Sequence, residues 1–155
     1  MGASRVRVAK DKATFVRGLI AAADNTGPFQ TYADAIAFAA LVGVQWQKRL
    51  PIDIAAKNEP SPIALDIFIS RGYDRLLKLL ALVETQNPQI LSSYNPKNEG
   101  QWVQLFEEYA NGGLEVLQDE LRGAVDYTER LLLLLSAKRD SEEQSPEEFD
   151  LSRFL

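Results

Sequence analysis

The opening residues combine a two-residue period with a helical one. Val6 and Val8 alternate with Arg5 and Arg7, a pattern typical of a short strand over residues 4–9. From about residue 10 the period changes, and five apolar residues share one face of a helix: Phe15, Val16, Leu19, Ile20 and Ala23. The turn formers DNTGP follow and end the segment. The pattern therefore predicts a strand and then a helix of about four turns.

A second helical run, YADAIAFAALVGVQWQ, follows Thr31. Thr31 is a suitable N-cap residue, and Asp34 in the first turn suits the positive end of the helix dipole. The run is apolar on nearly all sides, which is typical of a helix buried at the centre of a domain or in a dimer interface. The sequence is compatible with both arrangements. Because the second arrangement needs two copies of the chain, a homodimer is one of the expectations.

The middle of the chain contains one ambiguous segment and one clear helix. After Ser61-Pro62, the residues IALDIFI fit either a helix start or an extended strand. The segment YDRLLKLLALVET predicts a helix whose apolar stripe consists of Leu76, Leu79, Leu80 and Val83. Gly72 is expected to bend or interrupt the join between the two segments.

The last third predicts two more helices. The first covers residues 101–120, and Gly112-Gly113 within it predicts a kink or a break because glycine is a weak helix former. The second is DYTERLLLLLSAK. The expected fold is therefore mainly α, a single domain of about five helices with a short N-terminal strand.

The order strand, helix, turn, helix over residues 4–46 is that of a ribbon-helix-helix unit. In such a unit two chains pair their strands and place the ribbon in the major groove of DNA. Arg5 and Arg7 would then face bases, and Lys10, Lys12 and Arg17 would lie near phosphates. An acidic partner surface could bind the same five residues, and a basic segment of this length is also compatible with a plain solvated face.

Composition excludes much of enzymology. The 155 residues contain neither cysteine nor histidine, which removes thiolate nucleophiles, disulfides and the commonest general base and transition-metal ligand. Glycine-rich phosphate loops and Ser-x-x-Lys spacing are absent as well. The sequence therefore predicts a protein that is not an enzyme and needs no cofactor.

A magnesium site is the weaker alternative to this prediction. Glu108, Glu115 and Asp119 lie near one face of an unbroken helix and could bind a hard cation. The same spacing is typical of an ordinary solvated stripe, so no metal is expected.

The two ends of the chain differ in net charge. Residues 1–50 contain seven Lys or Arg and three Asp, whereas residues 101–155 contain five Lys or Arg and thirteen acidic residues. We expect a helical domain over 1–138 and an acidic, flexible tail over 139–155. Four apolar tail residues at near-helical spacing predict a docking segment for a partner: Phe149, Leu151, Phe154 and Leu155. With no apolar run of membrane-spanning length and no readable secretory signal, the expected location is the cytoplasm.

Three stretches carry a resemblance to a known family: TYADAIAFAALVG, SRGYDRLLKLLALVETQNPQIL and FEEYANGGLEVLQDELRG. Over about residues 5–135 the chain resembles the DNA phosphorothioation-associated protein 4 family, small proteins of bacterial dnd clusters. The resemblance implies a role beside the enzymes that replace a non-bridging phosphate oxygen of DNA with sulfur, or beside the restriction machinery that uses this mark against invading DNA. It supplies no functional residues.

Two functions follow as expectations. The first is a non-enzymatic adaptor of such a defence system that binds other dnd-cluster proteins and, as a further option, double-stranded DNA. The second is a dimeric ribbon-helix-helix regulator that binds DNA through its N-terminal ribbon.

Overall fold

The computed structural model describes residues 4–21 and 27–143, with no side-chain detail for 141–143. The fold is mainly helical, as predicted, and forms a single domain. Within the described residues two strands and six α-helices are present: β1 (Arg5–Val6), α1 (Ala13–Gly18), α2 (Tyr32–Gln45), β2 (Ile63–Ala64), α3 (Leu65–Ser70), α4 (Asp74–Thr85), α5 (Pro96–Glu120) and α6 (Tyr127–Glu143).

The contact between α2 and α5 is the centre of the fold. Ala39 and Gly43 of α2 lie directly against Gly113 of α5, so that a Cβ atom added to Gly113 would overlap the Ala39 carbonyl. The predicted break at Gly112-Gly113 is wrong, because α5 runs through both residues. The glycines instead allow two helix backbones to touch, and burial at the crossing outweighs their weak helix propensity.

The predicted N-terminal strand is present, but its partner belongs to the same chain. β1 pairs antiparallel with β2, with Arg5 opposite Ala64 and Val6 opposite Ile63. The ambiguous segment after Pro62 is thus a two-residue strand followed at once by α3. The ribbon-helix-helix alternative needs β1 to pair with a second copy, and here β2 has that position.

The N-terminal segment continues along α5 from this small sheet. Val6 and Val8 are buried, as the alternation with arginine predicts. Ser4 Oγ donates to Glu99 Oε1 at 2.9 Å, and contacts from Arg7 and Lys12 reach the middle of α5.

The first helix is shorter than predicted. A 3₁₀ turn over Lys10–Lys12 leads into α1, which ends at Gly18 instead of continuing to residue 23. The reason is a tertiary contact, because Phe29 N–H donates to Leu19 O and Ala21 N–H donates to Phe29 O, at 3.0 and 2.6 Å. These bonds hold the chain in an extended form after Leu19 that an α-helix cannot adopt.

Helix α4 is present where it was predicted, but its buried face is rotated. Leu77, Leu80 and Ala81 are buried, whereas Leu79 and Val83 of the predicted stripe are exposed. Gly72 interrupts the join before α4, as expected, with a φ of 84° that favours glycine.

Helix α6 extends past the predicted domain boundary at residue 138. It runs to Glu143, so residues 139–143 of the predicted flexible tail are helical. None of the helices within 4–21 and 27–143 has the length and apolar content that a bilayer crossing requires.

Candidate interaction surfaces

Arg7, predicted to face bases, is bound to a buried glutamate of α5. Its backbone N–H and its Nε both donate to Glu107 Oε2, at 2.8 and 3.1 Å, and its Nη2 donates to Glu107 Oε1 at 2.7 Å. The Glu107 side chain is only 5% exposed. The hydrogen bond and the charge of Glu107 raise the pKa of Arg7. Glu107 thus occupies the guanidinium edge that would otherwise bind a base.

Lys12, predicted to lie near phosphates, is buried. Its Nζ donates to Asn111 Oδ1 at 2.8 Å, and Asn111 Nδ2 donates to the carbonyls of Leu50 and Pro51 at 3.1 and 3.3 Å. These bonds join the N-terminal segment, the chain after α2 and the middle of α5 at one point. Lys12 therefore lies in the interior of the fold.

The other three predicted basic residues make no ion pair within the described residues. Lys10 is exposed, and Arg5 is exposed with its Nη1 at 3.5 Å from Pro62 O. Arg17 is half-buried, and its guanidinium donates to Glu59 O at 2.5 Å and to Thr14 Oγ1 at 3.0 Å. Arg5, Arg7 and Lys10 are thus the exposed members of the predicted set, and of these three Arg7 is bound to Glu107.

Two open cavities lie beside the chain that follows α2. The larger, of about 680 Å³, has Lys10, Lys12 and Asn111 on its wall. The smaller, of about 440 Å³, has Arg5 and Arg7 on its wall together with Glu107. The sequence pattern of alternating basic residues had indicated a basic surface here, but it could not indicate these concave shapes.

Arg49 connects three elements through two glutamates. Its Nε donates to Glu108 Oε2 at 2.6 Å, and its Nη1 donates to Glu84 Oε1 at 2.8 Å. Tyr109 Oη donates to the other oxygen of Glu84 at 2.5 Å. This hydrogen bond, helped by Arg49 and opposed by burial, lowers the pKa of Glu84. Burial and the bond to Glu84 raise the pKa of Tyr109.

The carboxylates of the magnesium alternative each have a cationic partner. Glu108 is bonded to Arg49, Glu115 lies 2.9 Å from Lys48 Nζ, and Asp119 lies 2.8 Å from Arg122 Nη2. Within the described residues, no group of three carboxylates has the arrangement of a metal site.

Asp34 is the centre of a second polar network, at the start of α2. Thr31 caps the helix as predicted, since its Oγ1 accepts from Asp34 N–H at 3.2 Å. The Asp34 carboxylate accepts two bonds from Arg71, at 2.9 and 2.7 Å, and one from Tyr73 Oη at 2.6 Å. Burial alone would raise the pKa of Asp34, but the bonds from Arg71, Tyr73 and Thr31 outweigh it and lower that pKa.

This lowered pKa predicts a stability difference that depends on pH. A carboxyl group with a depressed folded-state pKa stabilises the fold above its unfolded-state pKa, and that contribution disappears as pH falls through the folded-state value. We expect Asp34→Asn to lower the Tm at pH 7 and the deficit to shrink as pH falls below about 3.9, the ordinary pKa of aspartate, towards the lowered pKa of Asp34. Thermal melts of both proteins from pH 7 to pH 2.5 check this. An equal deficit at every pH would contradict the assigned ion pair.

Helix α6 presents leucines to solvent. Tyr127, Leu131 and Leu134 pack on the domain, with the Tyr127 ring 5.6 Å from that of Phe15. The α6 leucine surface, consisting of Leu132, Leu133 and Leu135, faces away from it at 59%, 57% and 46% exposure. A signal for this surface was present in the sequence, because five consecutive leucines in a helix that turns about 100° per residue cannot all face one core.

The C-terminal part of α6 extends beyond the domain. Every residue from 135 to 140 is exposed. Most of this stretch is polar, with Ser136, Lys138 and Arg139 among its residues. The predicted docking residues Phe149, Leu151, Phe154 and Leu155 lie outside the described residues. That prediction therefore stays a prediction.

The described residues form a small helical domain with two open cavities lined by basic and acidic side chains, and with exposed leucines on α6. The chain belongs to the family of DNA sulphur modification system-associated protein 4, whose family model matches residues 5–154. The match confirms the resemblance and extends it into the tail, which the resemblance from the sequence had left out. Comparison with curated proteins and with solved structures gave no match.

Proposed function

We propose that this protein is a non-enzymatic adaptor of a DNA sulphur modification system and binds another protein of the same dnd cluster through α6. Its membership of a family associated with such a system gives the accessory role. The exposed α6 leucine surface is the observation that supports binding of a partner protein through α6. Exposed apolar residues gathered on one helix are typical of protein-binding sites.

The energetics of α6 support docking on a partner. The exposed stretch over residues 135–140 is about 9 Å long, and a helix of that length is marginal in water without tertiary packing. A partner that covers the leucines would stabilise this stretch, since completing the burial of a half-exposed leucine contributes about 1 kcal/mol. Leu132 and Leu135 lie about 60° apart around the helix and can provide the apolar centre of a modest interface, with Leu133 at its edge.

The N-terminal residues support a protein partner more than DNA. Arg7 is held by Glu107, Lys12 is buried, and β1 is paired within the chain. Base reading by a ribbon needs these groups to be free. The lack of cysteine and histidine supports the non-enzymatic part of the proposal, because the commonest nucleophile and base are missing.

The test is capture of dnd-cluster proteins by the tagged chain from cells that express the whole cluster. We expect Leu132→Glu combined with Leu135→Glu to reduce capture at least tenfold, since two charges would have to be desolvated in the interface. The Tm should stay within about 2 °C of the parent because both side chains are exposed.

A second pair of exposed apolar residues gives the matched control. Leu79 and Val83 on α4 are 55% and 57% exposed, and their replacement by glutamate is expected to leave capture unchanged. Equal loss in both variants, or in neither, would sink the assignment of α6. Tight duplex binding by the chain alone, weakening steeply with salt and on Arg5→Ala, would instead support the DNA-binding regulator.

A further inference from the structure

Lys12 holds a buried positive charge with one hydrogen bond. The residue is 6% exposed, and its Nζ donates to the neutral Asn111 Oδ1. Within the described part of the chain, Lys12 is in none of the seven ion pairs. An ammonium has three N–H donors, and burying it without a counter-charge costs several kcal/mol. The other two N–H groups of the Lys12 ammonium donate to no side chain within residues 4–21 and 27–140, so they are available to water or to a ligand.

The orientation of Asn111 is fixed by its other contacts. Its Nδ2 donates to the carbonyls of Leu50 and Pro51, so its Oδ1 faces Lys12. Asn111 thus holds Lys12 in place, and the Lys12 ammonium is the donor on the wall of the 680 Å³ cavity. Its volume is in the range of small-molecule sites, about 300–1,000 Å³.

Charges around the cavity limit what it can bind. Glu115 on the wall is neutralised by Lys48, at 2.9 Å, whereas Asp11 and Asp53 are exposed at the rim. The exposed carboxylates are screened by solvent, but they disfavour a ligand with several negative charges. Lys10, also at the rim, adds a second cation.

We propose that this cavity binds a small ligand through a single anionic group, a carboxylate or a phosphate, that accepts hydrogen bonds from the Lys12 ammonium. The proposal concerns a different face from the α6 leucine surface and does not depend on partner docking. It also explains why a lysine is present where an apolar side chain of similar length, such as methionine, would fit without a buried charge.

Thermal melting with inorganic phosphate and with acetate, each at constant ionic strength against chloride, tests the site. We expect at least one of the two anions to raise the Tm saturably, and the better of them identifies the preferred group. In Lys12→Met the anion-dependent rise should fall at least tenfold in apparent affinity. The Tm of this variant in chloride alone is the reference for its own anion response, because Lys12→Met also removes the donor to Asn111 Oδ1.

Lys97→Met is the matched control, because it removes one exposed ammonium from the start of α5. It should keep the full anion response. A similar rise in Lys12→Met and the parent, or no rise in the parent, would each overturn the proposal. Amide NMR spectra of the unchanged chain give a second test that needs no variant. Phosphate or acetate should shift the Asn111 side-chain amide and leave Gly100 in place, and no shift at Asn111 would also overturn the proposal.

Discussion

Replacing Gly113 with alanine is expected to lower the free energy of unfolding by about 3 kcal/mol, at the upper end of the overpacking range. A Cβ atom at this position would overlap the Ala39 carbonyl and would lie 2.9 Å from Gly43 N. Both neighbours are backbone atoms of a buried helix, so relief requires α2 and α5 to move apart. For a chain of this size the loss corresponds to a Tm lower by about 10 °C, which calorimetry or a urea titration measures.

Gly100→Ala gives the control within the same helix. Nothing lies within 4 Å of an added Cβ at Gly100. Alanine should therefore stabilise α5 by up to about 1 kcal/mol through its better helix propensity. If the two alanine variants changed stability alike, close backbone contact could not be the reason for glycine at position 113.

Replacing Arg49 with methionine is expected to cost about 2 kcal/mol at pH 7, less than a fully buried pair because Arg49 is 38% exposed. The change leaves Glu84 and Glu108 without their shared cation, and the Glu108 side chain is only 9% exposed. The two carboxylates would then repel each other, and Glu108 would be desolvated without a partner. Urea titration at pH 7 measures the loss.

Arg122→Met is the comparison for this variant. Arg122 and Asp119 form an exposed pair within one turn, at 76% and 59% exposure, and such pairs contribute at most about 1 kcal/mol. Arg122→Met should therefore change stability little. The deficit of Arg49→Met should narrow as pH falls below about 4.3, the ordinary pKa of glutamate, towards the lowered pKa of Glu84, since a protonated Glu84 no longer needs the cation. A deficit independent of pH would point to lost packing of the arginine stem instead.

Local signals in the sequence predicted much of the fold. The N-cap at Thr31, the alternation at Val6 and Val8 and the leucine-rich α6 all appear as expected, because each depends on residues within one or two turns. The end of α1 and the continuity of α5 were mispredicted. Both depend on partners distant in sequence, Phe29 in one case and α2 in the other, and no local pattern contains that information.

The candidate surfaces were less predictable than the fold. The basic residues were identified from their spacing, yet spacing does not reveal that Arg7 meets Glu107 or that Lys12 meets Asn111, each about a hundred positions away. In α4 the predicted apolar stripe was displaced by one residue, since Leu77 and Ala81 are buried where Leu76 and Leu79 had been expected. The leucine-rich sequence of this helix allows more than one apolar face. Which face is buried is decided by the helix packed against it.

The contacts of the N-terminal segment have a consequence for synthesis of the protein. Ser4, Arg7 and Lys12 find their partners at Glu99, Glu107 and Asn111. At a ribosomal rate of about 5–20 residues per second, those partners appear roughly 5–20 s after the segment itself. During that interval the segment that contains Arg7 and Lys12 carries positive charge without its partners, and the domain is complete only after α5 has been made.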